Sequence, residues 1–374
     1  MRGHAEAEPP VSGIPLMVVI APDSFKGSRS GLEVAEDLAT GWRSVRPDDH
    51  LVLLPQADGG EGTLDAVQAS VPGTERRNAG LVTGPDSQPR SGEWLALPNG
   101  TAVVELAQMA GLPLMGAPDP LNATTRGLGE VISAALDAGA TRLVIGLGGS
   151  ASTDAGTGAL AALGMLFADE RGNPVPDGGG SLHLITSVER AHLRHPPSGG
   201  VVLLVDVDVP LSGAAPVFAP QKGATEAQIG TLSHNLAHVA SLLGGHPDQP
   251  GSGAAGGTAY GFATTWGAIA ESGANHIARL SGLDAALVRA DIVLTGEGRF
   301  DEQSGRGKVV GRVLAKAHGL GLIAGVVAGE VTHPPDCWST SLAHIGGSVE
   351  AAMADPSRWL QDAGALAARA LTPS

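Results

Sequence analysis

Apolar and polar positions follow one repeating order near both ends of the chain. Leu16 to Ile20 is a short, wholly apolar run that stops at Pro22-Asp23-Ser24, and behind it Leu32, Ala35, Leu38, Ala39 and Trp42 recur at helical spacing. His50 to Leu54 is a second such run, ending in Ala57-Asp58-Gly59-Gly60-Glu61-Gly62, and Thr63 to Ala69 again has helical spacing. Two strand-loop-helix units in succession predict a parallel sheet. The order resumes later, where Asp291 to Leu294 leads into Gly296-Glu297-Gly298-Arg299. A helix from about Lys308 to His318 follows, then strands at Leu322 to Val327 and Ala343 to Gly346. Five buried strands with intervening helices make a flavodoxin-like α/β sheet, whose ligands gather beyond the carboxyl ends of the strands.

The middle has a different character. Val103 to Leu106, Leu143 to Gly146 and Val201 to Val205 read as strands, but long polar and Gly/Pro-rich pieces separate them. With 374 residues the chain suits two domains. The expected division is a discontinuous flavodoxin-like domain, 14–73 plus 285–374, with a second α/β domain, 74–284, inserted. Residues 1–13 carry Pro9, Pro10 and no periodicity, and read as a disordered leader.

Composition narrows the function. A formal charge of −15 argues against nucleic acid or an anionic membrane as partner. No apolar run reaches the length of a membrane span and no signal peptide is evident, so a cytoplasmic protein is expected. The single cysteine, Cys337, makes an internal disulfide impossible, and no Cys/His spacing points to zinc. Glycine is abundant at 55 residues without a collagen-like period, which favours loops that approach a ligand by their backbone.

Three glycine-containing acidic loops stand at strand ends. Asp23, Ser24 and Lys26 bring an acid, a hydroxyl and an amine to one such end, although Ser28 or Ser30 as a helix N-cap would explain the segment equally well. Asp58 and Glu61 at the next could hold Mg²⁺, which prefers one or two carboxylates plus water and phosphate oxygens. Glu297, Arg299 and Asp301 repeat the pattern. Ser304-Gly305-Arg306-Gly307-Lys308 resembles a phosphate loop opening a helix, but Glu302 and Val309 stand where a Walker A motif requires Gly and Ser or Thr. Gly146-Leu147-Gly148-Gly149-Ser150-Ala151 formally fits G-x-G-x-x-A after an apolar strand, with Asp169 about 20 residues on, so a dinucleotide-binding dehydrogenase is arguable. Gly148, Gly149 and Ser150, with Gly256, Gly257 and Lys222, are the candidate nucleotide contacts. Arg126 could pair bidentately with a small carboxylate, and Asp206, ending a strand, is a further candidate substrate contact.

Taken in order, APDSFKGS at 21–28, ADGGEGT at 57–63, ELAQMAGL at 105–112, TTRGLGE at 124–130, IGLGGSASTDAGTGAL at 145–160, FAPQKGA at 218–224, GAAGG at 253–257 and TGEGRFD at 295–301 resemble the bacterial glycerate kinase type I family. The resemblance runs from about residue 16 to 350. It implies two different α/β domains, one flavodoxin-like, and ATP- and Mg²⁺-dependent phosphorylation of D-glycerate to 2-phosphoglycerate. Two places depart from the family: Val209-Pro210 stands where Asn-Pro is common, and Phe300 where an aliphatic residue is common.

Phosphoryl transfer asks mainly for positioning and charge neutralisation. Roles are therefore expected as follows: Asp23 accepts the substrate hydroxyl proton; Lys26, Arg299 and Lys222 neutralise phosphate oxygens; two among Asp58, Glu61, Glu297 and Asp301 hold Mg²⁺; Arg126 with Ser24 takes the glycerate carboxylate. The alternatives are an NAD-dependent hydroxy-acid oxidoreductase using the Gly146 turn, and a non-catalytic sugar-acid sensor.

Overall fold

The computed structural model describes residues 14–302, 304–305 and 308–372. The proposed leader, and Arg306 and Gly307 of the phosphate-loop-like segment, lie outside the described residues. In chain order the strands are β1 (Met17–Ile20), β2 (His50–Leu53), β3 (Glu75–Thr83), β4 (Pro89–Ala96), β5 (Thr101–Glu105), β6 (Arg142–Gly146), β7 (Leu166–Ala168), β8 (Ser187–Glu189), β9 (Val201–Leu204), β10 (Ile269–Glu271), β11 (Ile292–Phe300), β12 (Ile323–Val331) and β13 (Trp338–Ser341). They fall in two compact units. The first comprises the described residues up to Ala57, Asp65–Ser70 and those from Ile277 on; the second comprises Asp58–Leu64 and Val71–His276.

The first unit holds a five-stranded sheet in the order β13-β12-β11-β1-β2, with every neighbouring pair parallel. Ranked along the chain this is 2-1-3-4-5, the flavodoxin-like order. Its centre is β1 and β11, whose Val18, Val19, Ile20, Ile292, Val293 and Leu294 are wholly buried. Helix Gly31–Val45 starts on a capping box of Ser30 and Glu33 and buries Val34, Ala35, Leu38, Ala39 and Trp42. Its far end is fixed by a buried polar cluster. The Asp49 carboxylate accepts hydrogen bonds from Arg46 Nε (3.0 Å), Arg46 Nη2 (2.9 Å), Trp42 Nε1 (2.8 Å) and the Leu16 N–H (3.0 Å).

Two expectations need correction here. The fifth strand is Trp338–Ser341, and Ala343 to Gly346 lies in the short helix Leu342–Gly346. The Ser341 side chain accepts the His344 N–H and so starts a helix where apolarity alone read as strand. The Gly296-Glu297-Gly298-Arg299 segment is not a loop after the third strand either. It continues β11, which pairs with β12 as far as Phe300 and Val331.

The second unit has a six-stranded mixed sheet, β10-β9-β6-β5-β4-β3, in which β5, β6, β9 and β10 run parallel and β3 and β4 are antiparallel additions. The three strands read from apolar runs are its centre. The β3–β4 pair escaped that reading because much of β3 is exposed, so it carries no apolar run.

Candidate active site

In the first unit the chain leaves β1 at Ala21 and stays tied to β11: the Asp23 N–H donates to the Gly296 carbonyl at 2.8 Å. That bond brings the Asp23-Ser24-Phe25-Lys26 turn beside Glu297 and Gly298. The Asp23 carboxylate accepts the Ser24 N–H at 2.6 Å, and the Ser24 Oγ is buried without a hydrogen-bond partner. Glu297 is half-buried, and its Oε1 is likewise buried and unpartnered. Burial raises its pKa above the ordinary glutamate value; the Ser304 hydroxyl, Lys308 and Lys26 act against that rise, and the Asp301 charge adds to it. Lys26 and Lys308 are both exposed and both within electrostatic reach of Glu297. Asp301 closes a turn: its carboxylate accepts the Ser304 N–H (3.2 Å), and its own N–H donates to Ser304 Oγ (3.0 Å). Arg299 is exposed, with Glu330 at 3.7 Å. The strand ends thus join Asp23, Ser24, Lys26, Glu297, Asp301 and Lys308 in one neighbourhood.

In the second unit the acidic turn and the glycine turn are packed backbone to backbone. Gly148 N–H donates to the Gly59 carbonyl at 3.0 Å, and a methyl group placed on Gly148 would stand 2.5 Å from the Gly60 Cα. Asp58 Oδ1 accepts the Gly60 N–H at 3.0 Å, and the Glu61 carboxylate lies beside Gly149. Glu105, buried at the end of β5, accepts the Gly62 and Leu64 N–H groups at 3.3 and 3.0 Å and so braces the loop from behind. Its signal in the sequence was an acid ending an apolar strand. Asp206 accepts the Gly273 N–H at 3.0 Å, at the start of helix Gly273–Leu280. The residue is exposed, yet enough protein crowds its carboxyl that desolvation first, and then the Asp58 charge, raises its pKa.

Other residues stand differently from the expectation. Lys222 is not an open phosphate cation: it is 2% exposed, and its Nζ donates to the Ser152 carbonyl, with Thr153 Oγ1 at 3.5 Å. Desolvation lowers its pKa to about 8, opposed by the charge of buried Asp154. Gly256 and Gly257 face protein and no open surface. Both have positive φ, and side chains there would strike the backbone of Ser152 and Thr153 and the side chain of Leu211. Ser150 is buried with its Oγ on the Ser152 carbonyl, which leaves Gly149 as the exposed part of that turn. The guanidinium of Arg126 is held by Asp177, Nε to Oδ2 at 2.5 Å and Nη2 to Oδ1 at 2.8 Å, so its fork is engaged within the protein. Sequence reading missed Asp177, which lies in a polar stretch with no pattern to mark it.

The dinucleotide reading fails on geometry. A Rossmann turn opens a helix at its last small residue, whereas here the helix starts only at Thr157. Asp169, in place of a ribose acid, closes a turn by accepting the Arg171 and Asn173 N–H groups at 2.9 and 2.8 Å. Among the described residues, no three His, Cys, Asp or Glu side chains gather as a metal-ligand set, and no helix is long and apolar enough to cross a membrane.

The chain is 41% identical over 319 residues to glycerate 2-kinase of Escherichia coli (strain K12), covering 81% of this chain and 83% of that protein. It is 40% identical over 305 residues to glycerate kinase of Bacillus subtilis (strain 168), covering 78% and 79%. A crystal structure described as glycerate kinase 2 from Salmonella typhimurium LT2 superposes with a TM-score of 0.82 at 33% identity, covering 96% of this chain and 98% of that one. Residues 18–372 match the sequence profile of the glycerate kinase family. A match along nearly the whole chain, on a 2-1-3-4-5 sheet whose strand ends carry the acid and lysine loops, makes this protein a member of the glycerate kinase family.

Proposed function

We propose that the protein transfers the γ-phosphoryl group of ATP to the 2-hydroxyl of D-glycerate, giving 2-phosphoglycerate and ADP. The observation that carries this reading is the group of Asp23, Lys26, Glu297 and Lys308 at the ends of β1 and β11, in a chain of this family. Asp23 accepts the hydroxyl proton while the hydroxyl oxygen bonds to the γ-phosphorus. The bond from that phosphorus to the bridging oxygen breaks, and ADP leaves with the electron pair. Lys26 and Lys308 neutralise the phosphate oxygens, with Arg299 at the exposed rim; Ser24 Oγ, buried and unpartnered, is a donor for the substrate.

The residues also fit Mg²⁺. An ion bound chiefly by phosphate oxygens and water needs one or two carboxylates, not a full protein cage, and Glu297 Oε1 is a buried acceptor that no donor among the described residues satisfies. Asp301 is the other acid of this unit proposed for it. When bound, Mg²⁺ supplies charge neutralisation on the β- and γ-phosphate oxygens.

The test is to incubate the protein with D-glycerate, ATP and Mg²⁺, couple ADP release, and add enolase alone to the product. Glycerate-dependent ADP release with a direct enolase product supports the 2-kinase. Release without it moves transfer to the 3-hydroxyl, and no release with any hydroxy acid overturns the kinase reading. Asp23→Asn lowers kcat by about 10² or more if Asp23 is the base; near-normal kcat removes that role.

A further inference from the structure

One cavity of the first unit has no part in the roles above beyond Asp301 at its edge. Its volume is about 670 Å³, within the roughly 300–1,000 Å³ span of small-molecule sites. A single face of helix Val309–Leu320 forms one wall, since Gly311, Leu314, Ala315 and His318 recur at three- and four-residue spacing and all line it. Facing them, the connection from β12 to β13 supplies His333, Pro334 and Cys337. Asp301, Glu302 and Gly305 line the part that belongs to the segment leading into the helix.

We infer that this cavity holds the adenosine part of ATP, with the phosphates directed toward the start of the helix. The inference rests on the kinase reading above. A purine is flat, with apolar faces and a polar edge. Leu314, Pro334 and the imidazoles of His318 and His333 offer surfaces for such faces and a few hydrogen-bonding groups for the edge. A ribose diol needs acceptors, and Asp336 in the lining is one. The wall from Gly311 to His318 rises by seven residue steps, about 10 Å at 1.5 Å per residue, enough to lay a nucleoside along it. Charge sets the direction. Asp336 lines the cavity and no Lys or Arg is among its described lining residues, so it suits a neutral nucleoside and offers a polyphosphate no counter-charge. Phosphates belong instead beside Lys308, the N-cap of this helix, where among the described residues no side chain caps the first-turn amides.

Cys337 makes the test direct, because it is the sole cysteine, is half-buried, and lines the cavity. The full chain is labelled with a chromogenic thiol reagent at mildly alkaline pH in the presence of ADP, adenosine, tripolyphosphate or D-glycerate. ADP at about ten times its Kd slows labelling about tenfold. Adenosine protects at higher concentration, and tripolyphosphate and glycerate do not. A second arm uses Ala315→Trp, an exposed helical position that fills the cavity without touching the core. KM for ATP rises about tenfold or more while kcat and KM for glycerate stay within about twofold. The inference is overturned if glycerate-dependent ADP release proceeds but ADP leaves labelling unchanged, if glycerate protects in place of ADP, or if Ala315→Trp leaves KM for ATP unaltered. Protection by ADP without glycerate-dependent turnover keeps the cavity and rejects the kinase reading, so the two failures are distinct.

Discussion

Gly148→Ala probes how the second unit's glycine turn supports the acidic one. The added methyl would stand 2.5 Å from Gly60 Cα and 2.9 Å from Gly60 N, both backbone atoms that cannot swing aside. Ordinary contact needs about 3.4 Å or more, so the 58–62 loop or the 146–149 turn must give way by about 0.9 Å, and the cost of such overpacking is about 1–3 kcal/mol. Asp58 and Glu61 travel with that loop, and a displacement of about 1 Å in a positioning group costs about 10²-fold in rate. The expected result is a lower denaturant midpoint together with kcat/KM for glycerate reduced about 10–100-fold. Gly230→Ala is the control. It lies in helix Glu226–Leu243 with nothing within 4 Å of the new methyl, so it gains up to about 1 kcal/mol of helix propensity and leaves the rate alone. Equal stability and equal kcat/KM in Gly148→Ala and wild type would refute the claim that this close approach holds the acidic loop in place.

Two further outcomes follow from buried charge. Lys222 has a folded pKa of about 8 against an ordinary 10.5, so between these values the unfolded chain holds the extra proton and stability rises with pH by at most about 3 kcal/mol. Below about pH 8 that gain is absent; denaturant midpoints of wild type and Lys222→Met across the window check it, and parallel pH slopes would contradict it. Asp49→Ala leaves the Arg46 guanidinium, 4% exposed, without its carboxylate, which costs about 3–5 kcal/mol of stability in the first unit. Chemical denaturation followed by tryptophan fluorescence measures this, and a loss under about 1 kcal/mol would mean that solvent reaches Arg46.

What the sequence determined by itself is local and periodic. Apolar runs placed β1, β5, β6, β9, β11 and β12, because a strand buried on both faces must be apolar along its length, and the run at β2 placed that half-buried edge strand as well. Ser28 or Ser30 was legible as a helix start, and the order of eight short segments was enough to reveal the family. The acidic loops were legible because each follows such a run. Tertiary structure alone decided which partner each polar group meets. Arg126 finds Asp177 51 residues away, and Lys222 turns inward to Ser152 70 residues away. Glu297 lies in a strand and not a loop, because β12 extends far enough to pair with it. Periodicity reports whether a position faces water or core, but not which distant group shares that core. An acid or a lysine therefore reads the same in the sequence whether it will face a substrate or be spent on holding a loop in shape.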